Sequence, residues 1–307
     1  MQNVLNILPD RISSMLSIIN NEKLKAITQI RLRINKPIMV FIGKSEYMIS
    51  RDGLNKTYGE LFSREDQRAL LCRLNEHSAY IHNESIKSGY ITIQGGHRIG
   101  IAGNVIAKNG KIEYISDQAF FCIRCAHQIY GCFDALREEL FTNGLDSCLF
   151  FSLPGNGKTT LLRECCRKLS NEGYNICLID ERNEISGSFK GEPMLDVGKR
   201  CDVFTSCPRS AGIISAVRAM APDLIITDEI GTVEDYNAIR MAINSGIKII
   251  ASIHAGNIEN VKAKLQPNDI SFDKYIKIEL NLHGLTYALY DKEFNALNIR
   301  RKRYCCI

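Results

Sequence analysis

"FSLPGNGKTTLLREC", residues 151–165, passes from an apolar run through a short glycine-containing loop into a segment with helical patterning. It matches the phosphate-binding pattern G-x-x-x-x-G-K-[ST] except at its first position, where Ser152 replaces glycine. In such a loop the backbone N–H groups of Gly155 to Thr159 turn inward around phosphate oxygens, and the start of the following helix adds its positive end. Pro154, Gly155, Asn156, Gly157, Lys158, Thr159 and Thr160 are therefore the nucleotide-binding candidates. Lys158 is expected to neutralise β- and γ-phosphate charge, and the Thr159 hydroxyl to ligate magnesium. Ser152 falls at the strand-to-loop turn, where glycine eases the backbone but supplies no side chain, so the substitution weakens the pattern more than the mechanism.

Beyond the loop, short apolar runs alternate with helical segments. Cys148 to Phe151 precedes the loop, Ile176 to Ile179 closes on Asp180, Leu224 to Thr227 closes on Asp228, and Ile247 to Ile253 closes on His254. Helical patterning over Lys158 to Leu169 ends near Gly173, and another helix ends near Gly246. This alternation predicts an α/β domain over residues 141–307, with a parallel-rich sheet covered on both faces and its chemistry at the carboxyl ends of the strands. Residues 1–140 have a different texture, with helical patterns at about 9–27 and 63–75 and strands between and after them, including the glycine-punctuated meander "SGYITIQGGHRIGIAGNVIAKNGKIEYI". They predict a smaller α+β domain.

Composition narrows the function classes. The chain has 307 residues, 45% hydrophobic and 24% charged, enough for a sizeable core and two domains. No apolar stretch approaches the ~20 residues of a membrane-spanning helix, and the first twenty residues lack a secretory signal pattern. Twelve cysteines scattered through a chain without an export signal read as reduced thiols in a cytoplasmic protein. Cys122 and Cys125 form a single C-x-x-C near His127 without a second ligand pair, so packed thiols are the expectation rather than zinc. The net charge of +5 is modest, and the cluster Arg300, Arg301, Lys302 and Arg303 reads as a solvated tail. Tyr304 occupies the position where a prenylation signal needs cysteine, so Cys305 and Cys306 do not form one.

Three further segments carry chemistry. In "APDLIITDEIG", residues 221–231, a buried strand ends in adjacent carboxylates; Asp228 suits magnesium held through water, and Glu229 suits polarisation of an attacking water. A glutamate there favours hydrolysis over simple binding. "LIDERNEI", residues 178–185, sets Asp180, Glu181 and Glu184 beside Arg182 and Lys190. It leaves two readings open: a charged loop, or a site in which one carboxylate orders catalytic water or holds a ligand of magnesium from behind while Arg182 stabilises phosphate charge. "ASIHAGN", residues 251–257, brings His254 to a strand end, suited to sensing the γ-phosphate or to relaying contact between subunits.

In this order the four elements resemble the secretion-type ATPases of type II and type IV secretion and pilus machines: Walker A, aspartate box, Walker B and histidine box. More narrowly, "QIRLRINKP", "GYITIQGGHRIGIAGNV", "LDVGKRCDVF", "CPRSAGIISAVRAMAPDLIITDEIGT" and "IHAG" are similar to the stage III sporulation protein AA family, across both halves of the chain. The resemblance implies a RecA-like P-loop ATPase domain behind the smaller amino-terminal domain, ATP hydrolysis with Mg2+, and a ring-shaped homo-oligomer, a hexamer being expected. It further implies a cytoplasmic protein of the mother cell, peripheral at the membrane facing the forespore, that energises a secretion-like channel made by membrane proteins of the sporulation complex. Ring ATPases often complete a site with an arginine from a neighbour; Arg98, Arg200, Arg209 and Arg218 are candidates, with Arg98 and Arg218 ranked first. Cys201 in "GKRCDVF" stands where threonine is usual and removes no phosphate or metal ligand.

The alternative functions are an ATPase acting on single-stranded nucleic acid and a nucleotide-dependent scaffold. Dispersed basic residues and the absence of Trp argue against the former, so no nucleic-acid partner is expected. The Asp228–Glu229 pair argues against the latter.

Overall fold

The computed structural model describes residues 1–77, 90–108, 110–142, 144–281 and 284–297. The basic cluster at 300–303, Cys305 and Cys306, and Ser88, Gly89 and Asn109 of the expected meander lie outside them. The chain forms two compact units that part between His127 and Gln128.

In the first unit, helices α1 (Gln2–Ile7), α2 (Asp10–Ser17) and α3 (Asn21–Lys25) precede strands β1 (Ile27–Arg33), β2 (Met39–Ile42), β3 (Ser45–Ser50) and β4 (Gly53–Asn55). Helix α4 (Arg64–His77) and strands β5 (Tyr90–Ile93), β6 (His97–Lys108) and β7 (Lys111–Arg124) follow. Asn20 starts α3 by accepting a hydrogen bond from the Lys23 N–H, which separates it from α2. The strands form an antiparallel sheet in the order β4-β3-β2-β1-β7-β6-β5. The two-residue period along β1 buries Ile30 and Leu32 against Leu8, Ile12 and Leu16 of the helical layer, whereas Arg31 and Arg33 stay partly exposed.

The second unit contains α5 (Asp134–Leu140), β8 (Cys148–Ser152), α6 (Lys158–Asn171), β9 (Ile176–Asp180), β10 (Cys201–Thr205), α7 (Arg209–Ala219) and β11 (Leu224–Thr227). It continues through α8 (Val233–Asn244), β12 (Lys248–His254), α9 (Ile258–Leu265), β13 (Lys274–Asn281) and β14 (Gly284–Tyr290). Its sheet order is β10-β9-β11-β12-β8-β13-β14, parallel throughout except for β14 against β13. Alternate residues of each central strand feed two different cores: Cys148, Phe150, Leu178 and Ile226 meet α5 and α6, while Leu149, Phe151, Ile179 and Ile225 meet α7, α8 and α9. Burial on both faces is why these strands read as unbroken apolar runs.

The unit boundary differs from a division at residue 140. Phe133, Leu136, Leu140 and Phe141 pack with Leu162, Cys165 and Leu169 of α6, so α5 belongs to the second core. The Cys125 thiol, meanwhile, packs against the first unit's core, where burial pushes its pKa up to about 12.

Candidate active site

The parallel register places the carboxyl ends of the central strands on one edge. His254 pairs with Ser152, and Thr227, the residue before Asp228, pairs with Ile179, the residue before Asp180. The loop after β8 and the residues that follow β9, β11 and β12 therefore converge without any of them being close in sequence.

The loop answers the question raised by Ser152. Its left-handed positions are Gly155 and Gly157, both at φ 81°, whereas Ser152 does not have a positive φ. Glycine thus stands where the backbone requires it, and serine stands where it does not. Nothing lies within 4 Å of a Cβ built on Gly155, so conformation rather than room selects glycine there. Asn156 ties the loop down, donating to the Leu153 carbonyl (3.1 Å) and accepting from the Leu280 N–H (3.2 Å). Gly157 caps α6, and Lys158, Thr159 and Thr160 form its first turn, where N–H groups have no intrahelical acceptor.

Lys158 is buried with its Nζ at the centre of the edge. It donates to the Ser152 carbonyl (3.1 Å) and Ser152 Oγ (3.0 Å), and lies 3.1 Å from His254 Nδ1. Burial lowers its pKa, which the charge of Glu229 partly offsets. The other imidazole nitrogen, Nε2, is 2.8 Å from Glu229 Oε1, and Glu229 Oε2 accepts from Arg182 Nη1 at 2.9 Å. Because an ammonium only donates, Nδ1 accepts and Nε2 carries the proton given to Glu229. Lys158, His254, Glu229 and Arg182 thus form one hydrogen-bonded line, with Glu229 held at φ 27° and its N–H bonded to Ser252 Oγ at 3.0 Å. A left-handed non-glycine residue at the end of a strand is strained, and here it carries the carboxylate that would face water.

Asp228 is buried behind this line. Desolvation raises its pKa to about 6; Arg209 opposes that rise, and Asp180 and Glu229 add to it. Arg209 Nη2 contacts Asp228 Oδ1 (3.2 Å) and Glu181 Oε2 (2.9 Å), and Nη1 contacts Asp235 Oδ2 (3.1 Å). Asp180 has a different role from either carboxylate. Fully buried, it accepts from the Glu184, Ile185 and Ser186 N–H groups and from Ser186 Oγ at 2.6–3.1 Å, so it shapes the loop after β9. Asp180 is thus turned into its own loop, whereas Arg182 reaches Glu229 and Glu181 meets Asp228 only through their shared partner Arg209.

Arg98 is in the first unit, over the Tyr90 ring at 4.6 Å. Arg200 precedes β10 and Arg218 is in the last turn of α7, both toward the amino ends of the strands. Arg209 is engaged with Glu181, Asp228 and Asp235. Sequence reasoning did not assign this role to Arg209, nor find Asp235; the only local signal was Thr232-x-x-Asp235, a capping box that the structure contains at the start of α8.

The residues fit magnesium by donor chemistry. Thr159 and Asp228 offer hard oxygens, and a buried carboxylate with a raised pKa gains from a nearby positive charge. Among the described residues no cluster of three or more His, Cys, Asp or Glu could hold a metal by itself, so such an ion would be shared with phosphate oxygens.

Comparison with known proteins agrees with this architecture. A family model described as "Sporulation stage III, protein AA" matches residues 1–295. "Stage III sporulation protein AA" of Bacillus subtilis (strain 168) is 33% identical over 308 residues, covering 97% of each chain. Among solved structures, the Legionella pneumophila ATPase DotB aligns with a TM-score of 0.59 at 13% identity, over 92% of this chain and 81% of its own. The pilus retraction motor PilT with bound ADP aligns with a TM-score of 0.58 at 16% identity, over 91% of this chain and 83% of its own. These likenesses show a RecA-like secretion-ATPase fold.

Proposed function

Since the chain belongs to the Sporulation stage III, protein AA family, we propose that it is a magnesium-dependent ATPase that energises assembly or operation of a secretion-like channel during spore development. The observation that carries this reading is the line Lys158–His254–Glu229–Arg182, which joins the phosphate-binding loop to a carboxylate placed to polarise water. A hydrolase needs both ends of that line; a nucleotide-binding scaffold needs only the first.

In the proposed cycle the N–H groups of Gly155 to Thr160 cradle the triphosphate, and Lys158 exchanges its contacts with Ser152 and His254 for phosphate oxygens. Thr159 and Asp228 would hold Mg2+, which supplies charge neutralisation across the phosphates when bound. Glu229, oriented by His254 and Arg182, accepts hydrogen bonds from the attacking water and aligns it with the γ-phosphorus. His254, released by Lys158 on that exchange, is then free to report the state of the γ-phosphate to the rest of the edge.

The proposal includes a homo-oligomeric ring, with a hexamer as the arrangement the family resemblance implies, and an arginine contributed by a neighbour. Membrane proteins of the sporulation complex would be its partners at the mother-cell face of the forespore membrane. Among the described residues no helix is long and apolar enough to cross a membrane, so the attachment would be peripheral. The test is magnesium-dependent ATP hydrolysis measured against protein concentration, with oligomer size followed alongside. Specific activity should rise as oligomers form and disappear in Lys158→Ala and Glu229→Gln; normal hydrolysis by either variant would refute the assignments.

A further inference from the structure

We propose that Arg209 is the positioning residue for Asp228, fixing the direction in which that carboxylate faces a nucleotide-bound cation; the inference rests on the nucleotide reading of the site. Arg209 is only 6% exposed and touches carboxylates from three separate segments: Glu181 after β9, Asp228 after β11 and Asp235 in α8. A buried cation is ordinarily expected to satisfy its donors fully, yet among the described residues its Nε has no acceptor. The guanidinium is therefore oriented by the carboxylates it grips, not by saturation of its own N–H groups.

The two arms of the fork have unequal anchors. Asp235 Oδ2 also accepts from the N–H groups of Gly231 (3.1 Å) and Thr232 (3.2 Å), so it belongs to the rigid start of α8. Nη1 is tied to that fixed point, and Nη2 consequently reaches Asp228 Oδ1 from a defined direction while sharing itself with the half-exposed Glu181. A planar fork can hold this geometry; the single ammonium of lysine cannot serve both arms. Helix α7 delivers the arginine at the right height because Gly212, one turn later, lets the helix lie close on β9: a Cβ there would come within 2.7 Å of Ile179 Cγ2. Arg209 does not need to touch the nucleotide to act. It sets where the carboxylate points, and misdirecting a metal-facing carboxylate through its neighbour commonly costs about 10–100-fold in metal affinity or activity.

The experiment measures binding of mant-ATP with EDTA and across a magnesium titration, together with kcat and melting temperature, for wild type, Arg209→Lys and Asp235→Asn. The second variant keeps an oxygen for the helix cap but removes the charge that anchors the fork, and it guards against a folding failure in the first. For Arg209→Lys the expected result is EDTA binding within about twofold of wild type, a half-saturating magnesium concentration raised about tenfold or more, and a matching fall in kcat. Asp235→Asn should shift the magnesium requirement in the same direction by about threefold or more. Wild-type binding with an unmoved magnesium requirement in whichever variants fold would overturn this inference alone. Failure of the wild-type chain to bind mant-ATP would overturn the nucleotide reading and this inference with it.

Discussion

Glu229 and His254 are joined by a 2.8 Å contact from Oε1 to Nε2, across two adjacent parallel strands whose ends face the loop after β8. The imidazole's other nitrogen is held by Lys158 at 3.1 Å, so one side chain orients the carboxylate and senses the lysine at once.

That double contact separates binding from turnover. In His254→Ala, Arg182 is the side-chain hydrogen-bond partner left to the Glu229 carboxylate among the described residues, and an ion pair to a side chain that is 58% exposed positions it poorly. We expect kcat to fall by about 10–100-fold while KM changes by less than about threefold, since the loop and its N–H groups are untouched. Steady-state kinetics over a range of ATP concentrations tests this; a large rise in KM at constant kcat would place His254 in binding instead.

The Asp228 carboxyl gives a stability signature with a definite sign. Its folded pKa of about 6 lies above the ordinary carboxylate value of 3.8, so between these pH values the folded chain holds more proton than the unfolded one. Stability contributed by this group is therefore present at low pH and lost as pH rises through the window. A shift of about two units corresponds to roughly 3 kcal/mol. Asp228→Asn does not titrate, so its stability relative to wild type should improve by about 2–3 kcal/mol between about pH 4 and pH 7. Urea denaturation at several pH values checks the slope, and a difference that stays constant with pH would contradict it.

Asp180 predicts a purely structural loss. Its four hydrogen bonds all come from donors in the loop after β9, and Asp180→Asn would turn an NH2 group toward N–H donors. With hydrogen bonds to a charged group worth about 1.5–3 kcal/mol each and desolvated donors left over, a destabilisation of about 2–4 kcal/mol is expected. Thermal melting without nucleotide reads it directly.

How far the sequence reached follows from what each feature depends on. The strand ends at Asp180, Asp228 and His254 were legible because central parallel strands are apolar on both faces and stop at a charge. The function of Asp180 was not, because "DERNE" reads the same whether its carboxylate faces water or backbone N–H groups. Arg209 was missed as a partner of Asp228 because its meaning lies in contacts with Glu181, Asp228 and Asp235, which only folding brings together. The division at residue 140 left α5 with the first domain, whereas its Leu136 and Leu140 pack in the second core, a contact that folding alone establishes.

The loop itself supplies a paired prediction, because glycine matters at one of its positions and not at another. Gly157 sits at φ 81°, where a side chain strains the backbone, although the nearest obstacle to a Cβ is Leu285 at 3.8 Å. Gly157→Ala should therefore cost about 1–2 kcal/mol through conformation alone and displace the N–H groups that face phosphate, weakening mant-ATP binding by about tenfold or more. Ser152 carries no such strain; its Oγ accepts from Lys158 beside a main-chain carbonyl that also accepts from it, and donates to the Leu153 carbonyl, which Asn156 also holds. Restoring the glycine of the general pattern removes one acceptor from a lysine that is to leave it for phosphate. Ser152→Gly should accordingly keep mant-ATP affinity within about threefold of wild type. If Ser152→Gly abolished binding while Gly157→Ala preserved it, the loop would have to hold its ligand in a geometry other than the one its two left-handed glycines define.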